Sequence, residues 1–265
     1  MRRFRQSRSA DRDPALHDLF TPDGMEGEPY PSRADVRFPL RPLAAGLPND
    51  DVVVTDPLAE GSESDLLFRR AAEQVARRRP SEAVITYRSL LELDEHHVEA
   101  RAALAAILEA QDDLDGAVDQ LTLALTDRPT DPGLLSQRGA VLGLLKRYTD
   151  AEADLRRALR EAPDHPAALF HLGLLLHRKG LPADAVAVLR HAIHVEPANS
   201  AAQFYLGEAL HHQGDLAGAE AALRRAAELD LRQGRALHLL GRILDGQGRS
   251  EEAREMYQRA REAAR

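Results

Sequence analysis

The sequence contains no cysteine, and only two of its 35 basic residues are lysine. Because no thiol is present, disulfide bonds, thiolate metal sites and cysteine nucleophiles are excluded. Acidic side chains outnumber basic ones by 43 to 35, which gives a net charge of -8. A protein that binds nucleic acid needs a basic surface that displaces counterions from phosphate. The charge balance therefore argues against nucleic acid and favours a protein partner.

Long hydrophobic runs are missing as well. The longest stretch without Asp, Glu, Lys or Arg is the 13 residues from His165 to His177, whereas a membrane-spanning helix needs about 20 apolar residues. The first five residues carry three arginines, as the start of a signal peptide does, but Asp11 and Asp13 stand where its apolar part would begin. We expect neither a membrane span nor an export signal, and the predicted location is the cytoplasm.

Residues 1–63 differ in composition from the rest of the chain. They hold eight of the 15 prolines, with twelve acidic residues against eight arginines and no sustained apolar period. Such a segment cannot bury enough apolar surface to fold alone. We predict a disordered arm with a basic tip in residues 1–12 and an acidic, proline-rich body in residues 13–63.

From Ser64 onward the chain repeats with a period of 34 residues. The remaining 202 residues divide into five units of 34 and one of 32, with no insertion. The units are 64–97, 98–131, 132–165, 166–199, 200–233 and 234–265. We number the places of each unit from its first residue. Six units in phase indicate a stack of similar modules, each of which needs its neighbours to bury its apolar face.

Three places carry the pattern: the eighth is small, the twentieth is always alanine and the twenty-fourth is large. In chain order they are Ala71, Ala105, Gly139, Gly173, Gly207 and Gly241; then Ala83, Ala117, Ala151, Ala185, Ala219 and Ala253; then Tyr87, Leu121, Leu155, Leu189, Leu223 and Tyr257. Small side chains let helices approach toward the ~8 Å end of the packing range. This close approach accounts for glycine inside a helix, where it costs roughly 0.5 to 1 kcal/mol relative to alanine.

Each unit is predicted to be a pair of amphipathic helices. In the fourth unit the apolar residues fall mostly at steps of three and four, which is the spacing of one helix face. They are Leu169, Leu172 and Leu176, followed by Ala185, Leu189, Ala192 and Ile193. Gly180 and Pro182 lie between the two runs, where glycine supplies a left-handed cap and proline starts the next helix.

This pattern resembles the tetratricopeptide repeat, whose 34-residue motif has a large residue, Leu-Gly, a second large residue, Ala, an aromatic residue or Leu, and a closing Pro. The resemblance covers residues 64–265. It implies an all-α fold, a right-handed α-solenoid of six helix-turn-helix units, with the first helices lining a concave groove. The residues that depart from the motif are Arg70, Gln74, Glu95, Arg101, Arg138, Gln203 and Leu231.

Catalytic motifs do not occur in the sequence. It has no Gly-rich phosphate loop, no G-x-S-x-G elbow and no H-E-x-x-H motif, and the spacing of Ser, His and Asp predicts no triad. We therefore predict that the protein is not an enzyme and uses no cofactor. Two metal ligands four residues apart share a helix face. Among the histidines of the last three first helices only His211 has such a partner, Asp215, and no metal site is predicted.

The groove is predicted to change character along the stack. In the family geometry, places 2, 5, 6, 9, 12 and 13 of each first helix face the groove, and units four to six present aromatic, histidine and charged residues there. The predicted peptide-binding residues are Phe170, His171, Leu174, His177, Arg178, Phe204, Tyr205, Glu208, His211, His212, Arg235, His238 and Arg242. Aromatic and arginine side chains are the usual anchors of recognition. Phe204 and Tyr205 stand on a face that stacking is not expected to need.

These residues predict a non-catalytic scaffold or adaptor that binds a partly apolar, mildly acidic peptide or protein segment in the groove. Two alternatives stay open: a self-assembling structural repeat protein, and a regulatory subunit of an enzyme complex. The chain also contains a candidate ligand of its own. Residues 13–30 bring Leu16, Leu19 and Phe20 onto one helical turn, among five acidic residues and no arginine or lysine. We hypothesise that this segment occupies the groove.

Overall fold

A computed structural model describes residues 62–230 and 234–263. Within these ranges the chain forms twelve α-helices and no β-strand. The helices are α1 (Glu63–Ala76), α2 (Pro80–Leu93), α3 (Val98–Ala110), α4 (Leu114–Asp127), α5 (Pro132–Leu144), α6 (Tyr148–Glu161), α7 (Pro166–Arg178), α8 (Pro182–Val195), α9 (Ser200–Gln213), α10 (Leu216–Leu229), α11 (Gly234–Gly246) and α12 (Ser250–Ala263). The predicted arm lies outside the described residues except for Ser62 and Glu63, and Leu231 lies outside them too.

Each predicted unit holds one pair of helices, with the odd-numbered helix first. The predicted all-α repeat of helical hairpins is thus confirmed for the described residues. Helix α1 begins one residue earlier than expected because Ser62 caps it. The Ser62 hydroxyl accepts a hydrogen bond from the Asp65 amide at 3.2 Å, and the Asp65 carboxylate accepts one from the Ser62 amide at 2.9 Å. This reciprocal pair is a capping box.

Close packing within each hairpin accounts for the small residues. A Cβ added to Gly139 would lie 2.7 Å from Leu155 Cγ, and one added to Gly173 would lie 2.6 Å from Leu189 Cγ. The eighth place of the first helix therefore faces the twenty-fourth place of the second. The twentieth-place alanines are 0% exposed in all six units. The close approach expected from the pattern is present, and it joins the two helices of one unit.

The turn inside every hairpin has a left-handed residue at its fifteenth place. The residues with positive φ at this place are Arg78, Asp112, Lys146, Gly180, Gly214 and Gly248. Gly180, with φ of 72°, forms the predicted left-handed cap, and α8 begins at Pro182 as expected. In the first three units this place carries a side chain, which makes the same conformation costly.

Two departures from the repeat motif have polar partners in the facing helix. Thr86 donates a hydrogen bond from its hydroxyl to Gln74 Oε1 at 2.8 Å. Arg138 donates two to Asp154, whose side chain is buried, and these hydrogen bonds raise the pKa of Arg138. Both partners stand at the twenty-third place of their own unit. Gln74 and Arg138 therefore each have a polar partner within their own hairpin.

The described residues divide into two compact units, residues 62–171 and residues 172–263, with the boundary inside α7. In the first unit the helices α1 to α6 each pack against the next in the chain, and in the second unit α8 to α12 do the same. Among the residues that the structure describes, no helix combines the length and the apolar character needed to cross a membrane.

Candidate functional site

Most of the predicted peptide-binding residues belong to the second compact unit, on the end of α7 and on α9 and α11. Their exposure differs. The exposed ones are His212, Arg235, His238 and Arg242, the half-buried ones are His177, Arg178, Tyr205, Glu208 and His211, and the buried ones are Leu174 and Phe204. Phe170, which is buried, and the half-buried His171 belong to the other unit, with their ring centroids 5.2 Å apart.

Side chains from α7 and α9 meet around Tyr205. The ring centroid of His177 lies 6.0 Å from that of Tyr205 and 5.6 Å from that of His212. His177 Nε2 is 3.4 Å from Glu208 Oε2, and the rings of His211 and His212 are 6.1 Å apart. We call these five residues the histidine cluster. Because His177 is on α7 and the others are on α9, first helices of consecutive units contribute to one surface.

Loss of contact with water shifts the pKa of two residues of the histidine cluster. It raises the pKa of the Tyr205 phenol, against the opposing effect of the positive charges on Arg235 and Arg178. Although His212 is exposed at the surface, partial loss of water around its ring lowers its pKa, and the positive charges of His177 and His211 lower it further. His212 therefore carries less positive charge near neutral pH than an ordinary histidine. The cluster offers rings and hydrogen-bonding groups, while the nearby arginines supply the positive charge.

Phe204 has a packing role that the sequence did not predict. Its side chain is only 4% exposed, its ring meets the Tyr205 ring edge-on at 5.1 Å, and the guanidinium carbon of Arg235 lies 5.0 Å from its centroid. The expectation that this face is not needed for stacking is wrong for Phe204, because the next first helix supplies the arginine that covers it. Leu174, at 3% exposed, is also part of the core.

The spacing of His211 and Asp215 does not produce a chelating pair. The Asp215 carboxylate caps α10 and accepts a hydrogen bond from the Gly218 amide at 2.9 Å. His211 Nδ1 is buried and has no hydrogen-bond partner among the described residues. Within residues 62–230 and 234–263, no group of three or more His, Asp or Glu side chains is placed to hold a metal ion.

A pocket that the sequence did not predict lies in the last hairpin. Its volume is about 640 Å³. Its lining consists of Gly234, Arg235 and His238 from α11 with Tyr257, Ala260, Arg261 and Ala263 from α12. We call it the terminal pocket. The one signal in the sequence is the tyrosine at the twenty-fourth place, where the four inner units have leucine.

Two contacts fix the side chain of Tyr257, which lines the terminal pocket. The His238 ring lies 5.4 Å from the Tyr257 ring, and the Tyr257 hydroxyl donates a hydrogen bond to Asp245 Oδ2 at 3.0 Å. Burial and the Asp245 carboxylate raise the pKa of Tyr257. The phenol therefore stays protonated and keeps donating to Asp245 at neutral pH.

The sequence matches models described as tetratricopeptide repeat over most of the helical region. One model matches residues 68–132, 145–193 and 180–234, and a second matches residues 234–259. Together these ranges cover more than half of the chain. A comparison with curated proteins finds no match.

Solved structures with the same fold include PilF, PilW and YrrB. For Pseudomonas aeruginosa PilF the TM-score is 0.66 at 20% identity, over 73% of this chain and 88% of PilF. For PilW, a widely conserved type IV pilus biogenesis factor, the TM-score is 0.68 at 21% identity, over 74% of this chain and 91% of PilW. For YrrB, a TPR protein with an unusual peptide-binding site, the TM-score is 0.53 at 21% identity, over 67% of this chain and 91% of YrrB. At these identities the likeness concerns the fold alone.

Proposed function

Because the chain belongs to the tetratricopeptide repeat family, we propose that it is a non-catalytic scaffold or adaptor whose first helices bind a peptide or protein segment in a groove. Proteins of this fold are in general scaffolds for protein interactions, and YrrB is a protein of this fold with a peptide-binding site. The proposal includes a location in the cytoplasm.

The histidine cluster is the observation that supports this proposal most. Tyr205 is half-buried beside His177, with Glu208 and His212 around it. An amphipathic ring of this kind presents an apolar face and a hydrogen-bonding hydroxyl to a ligand with little conformational freedom to lose. These rings come from two consecutive first helices, so an extended or helical peptide that crosses both helices would contact them together.

The charges near the cluster favour an acidic partner. Arg235 and Arg242 are exposed on α11, and Arg178 is half-buried at the end of α7. Acidic side chains on the same helices include Glu208, which already faces His177 at 3.4 Å. A peptide with apolar side chains for the rings and one or two carboxylates for the arginines complements this surface.

Peptide display tests the proposal directly. The full-length protein is immobilised and a library of random peptides is selected on it. We expect enrichment of peptides that combine carboxylates with aromatic or aliphatic residues, and loss of that enrichment on a Tyr205→Ala, Arg242→Ala variant. The matched control is Arg225→Ala, Arg254→Ala, which removes two exposed charges from second helices. Equal enrichment on the two variants would contradict the proposal.

Sedimentation velocity distinguishes the proposed adaptor from the alternative, a self-assembling repeat protein. An adaptor keeps one sedimentation coefficient as its concentration rises, whereas a self-assembling repeat shifts to larger species by mass action. We expect the first behaviour. Concentration-dependent assembly that Tyr205→Ala abolishes would show that the ligand of this surface is another copy of the chain.

A further inference from the structure

We propose that the terminal pocket is the docking site of residues 13–30 of the same chain, which dock through Leu16, Leu19 and Phe20. This goes beyond the proposed function, which concerns first helices, because most of the pocket lining belongs to the second helix α12. Residues 13–30 lie outside the described residues, and the lining of the pocket defines which segment complements it.

The terminal pocket occupies the position where a following first helix would pack. In the second compact unit α9 packs against α8, and α11 packs against α10, whereas no described helix packs in this way against α12. At the twenty-fourth place Leu189 and Leu223 are 0% exposed, but Tyr257 is half-buried. At the twenty-seventh place Ala226 is 0% exposed, but Ala260 is half-buried. The pocket is thus a surface that the repeat buries elsewhere.

The helix that covers α10 shows what kind of segment fits such a surface. Helix α11 carries Ala236, Leu240 and Ile243 at steps of four and three, and all three side chains are buried, at most 3% exposed, in a helix that packs against both α10 and α12. An amphipathic helix docks in a groove through anchors at this spacing. A complementary segment therefore needs apolar residues three or four places apart and a polar remainder.

Residues 13–30 meet this requirement better than the rest of residues 1–61. Leu16, Leu19 and Phe20 stand at steps of three and one, so one helical turn brings them to one face. No proline separates these three residues, which lie between Pro14 and Pro22. In contrast, Pro42 lies between the leucines at 40 and 43 and breaks a helix there. The valines at 52, 53 and 54 are consecutive and do not share a helix face.

Charge complementarity supports the same segment. Arg235, His238 and Arg261 line the terminal pocket, whereas residues 13–30 carry five acidic side chains and no arginine or lysine. The apolar part of the lining, which is Tyr257, Ala260 and Ala263, would receive the three anchors while the carboxylates face the basic residues. Opposite charges at the edge of an apolar contact set its orientation and its specificity.

The chain length between the segment and α1 is sufficient. Residues 21–61 provide 41 residues before Ser62, and 41 residues span at most about 140 Å when extended. Twelve helix layers of about 10 Å side by side would span about 120 Å. The segment can therefore reach the pocket for any arrangement of the helices. Because both partners belong to one chain, docking does not depend on protein concentration.

Docking would have a regulatory consequence, and this consequence rests on the proposed function. Arg235 and His238 line the terminal pocket and also belong to the predicted peptide-binding surface. A docked segment would shield them from an outside ligand. Residues 13–30 would then act as an internal competitor that an acidic partner has to displace.

Cysteine cross-linking tests the docking, because the chain has no cysteine of its own. In the full-length protein, Thr21→Cys is combined with Ala263→Cys, which lies in the pocket lining. The control combines Thr21→Cys with Ala221→Cys, on the exposed side of α10. Under mild oxidation we expect an intramolecular disulfide that forms at least about tenfold faster for the first pair, at a rate independent of protein concentration. Adding Leu16→Asp and Phe20→Asp should reduce the rate to that of the control.

Three results would overturn the docking proposal. They are equal rates for the two pairs, a rate that the aspartate substitutions do not change, and a cross-linked dimer whose yield rises with concentration, which would assign the pocket to another copy of the chain. No outside peptide takes part in the assay. Failure of the docking and failure of the proposed function are therefore distinguishable.

Discussion

Arg138 and Asp154 face each other across the third hairpin, with Nε 2.7 Å from Oδ2 and Nη2 2.8 Å from Oδ1. This two-pronged geometry is the strong form of an arginine–carboxylate pair. The side chains are 22% and 10% exposed, so each charge has lost most of its contact with water. The arginine occupies a place where the repeat motif has a large apolar residue, and the carboxylate of the facing helix makes that tolerable.

Removing one member of this pair is expected to destabilise the protein strongly. Arg138→Ala leaves the Asp154 carboxylate buried without its partner, and the loss should be about 3 kcal/mol. Replacing both residues, as in Arg138→Leu with Asp154→Ala, should recover most of that loss. Urea unfolding followed by circular dichroism measures both, with Arg160→Ala on the exposed side of α6 as control, expected within about 0.5 kcal/mol. A double variant no more stable than Arg138→Ala would contradict this account.

The sequence predicted the hairpins but treated Arg138 and Gln74 only as departures from the motif. Periodicity reports which places are apolar on average, so it finds Leu155 and Leu189 in the core. It does not pair one exceptional residue with another. The signal was nevertheless present, because Thr86 and Asp154 are polar residues at the same twenty-third place of the two units concerned.

The contact between Gly173 and Leu189 predicts that Gly173→Ala destabilises the wild-type protein but stabilises a protein in which Leu189 is replaced by alanine. Gly173→Ala alone places a Cβ 2.6 Å from Leu189 Cγ, and such overpacking should cost about 1 to 3 kcal/mol. Leu189→Ala alone should cost about 2 to 5 kcal/mol. In the Leu189→Ala background, Gly173→Ala no longer clashes and should stabilise by roughly 0.5 kcal/mol, because alanine favours helix over glycine.

A double-mutant cycle in urea measures this coupling. Arg190→Ala, an exposed neighbour of Leu189 in α8, is the control and should not change the effect of Gly173→Ala. Additive effects of the two core substitutions would show that the eighth and twenty-fourth places do not touch.

The left-handed turns predict a simple stabilising substitution. Lys146 has φ of 61°, a conformation that costs an L-residue about 1 kcal/mol and glycine little. Lys146→Gly should therefore raise the free energy of unfolding by up to about 1 kcal/mol. Gly214→Ala, at the same place of the fifth unit with φ of 82°, should lower it by about as much. Thermal unfolding checks both, and a shift of the same sign in the two variants would refute the explanation.

A charge network between α10 and α12 predicts a dependence on pH. Arg249 is 2.7 Å from Glu220 and 2.6 Å from Glu252, and its hydrogen bonds lower the pKa of both carboxyls. A carboxyl whose pKa is lower in the folded state stabilises the protein above its unfolded value of about 4.3, and this contribution disappears as the pH falls through the folded pKa. The wild-type protein should therefore lose stability on acidification.

Arg249→Gln removes the largest cause of both shifts, while the smaller effect of Arg224 remains. The unfolding midpoint of this variant should fall less between about pH 6 and about pH 3 than that of the wild type. Arg225→Gln, which breaks a separate exposed pair with Glu228, is the matched control and should keep the wild-type slope. The same slope in all three proteins would mean that the network does not contribute.

The candidate site was harder to predict than the fold. Assigning places to the groove found Tyr205, His177 and His212 but also included Phe204, whose burial depends on Arg235 from the next unit. The terminal pocket was missed because it arises at the last hairpin, where no described helix covers α12. A motif describes an average unit and does not contain the neighbours of one particular residue.

The affinity of a selected acidic peptide tests the central claim, which is that the surface around Tyr205 binds a protein segment. The probe is a peptide recovered by display on the full-length protein, labelled for fluorescence anisotropy and titrated well below the unfolding midpoint. Tyr205→Ala and His212→Ala should each raise the Kd, the first by at least about tenfold, or about 1.4 kcal/mol, while Arg254→Ala leaves it unchanged. The same Kd for Tyr205→Ala and Arg254→Ala would contradict the account.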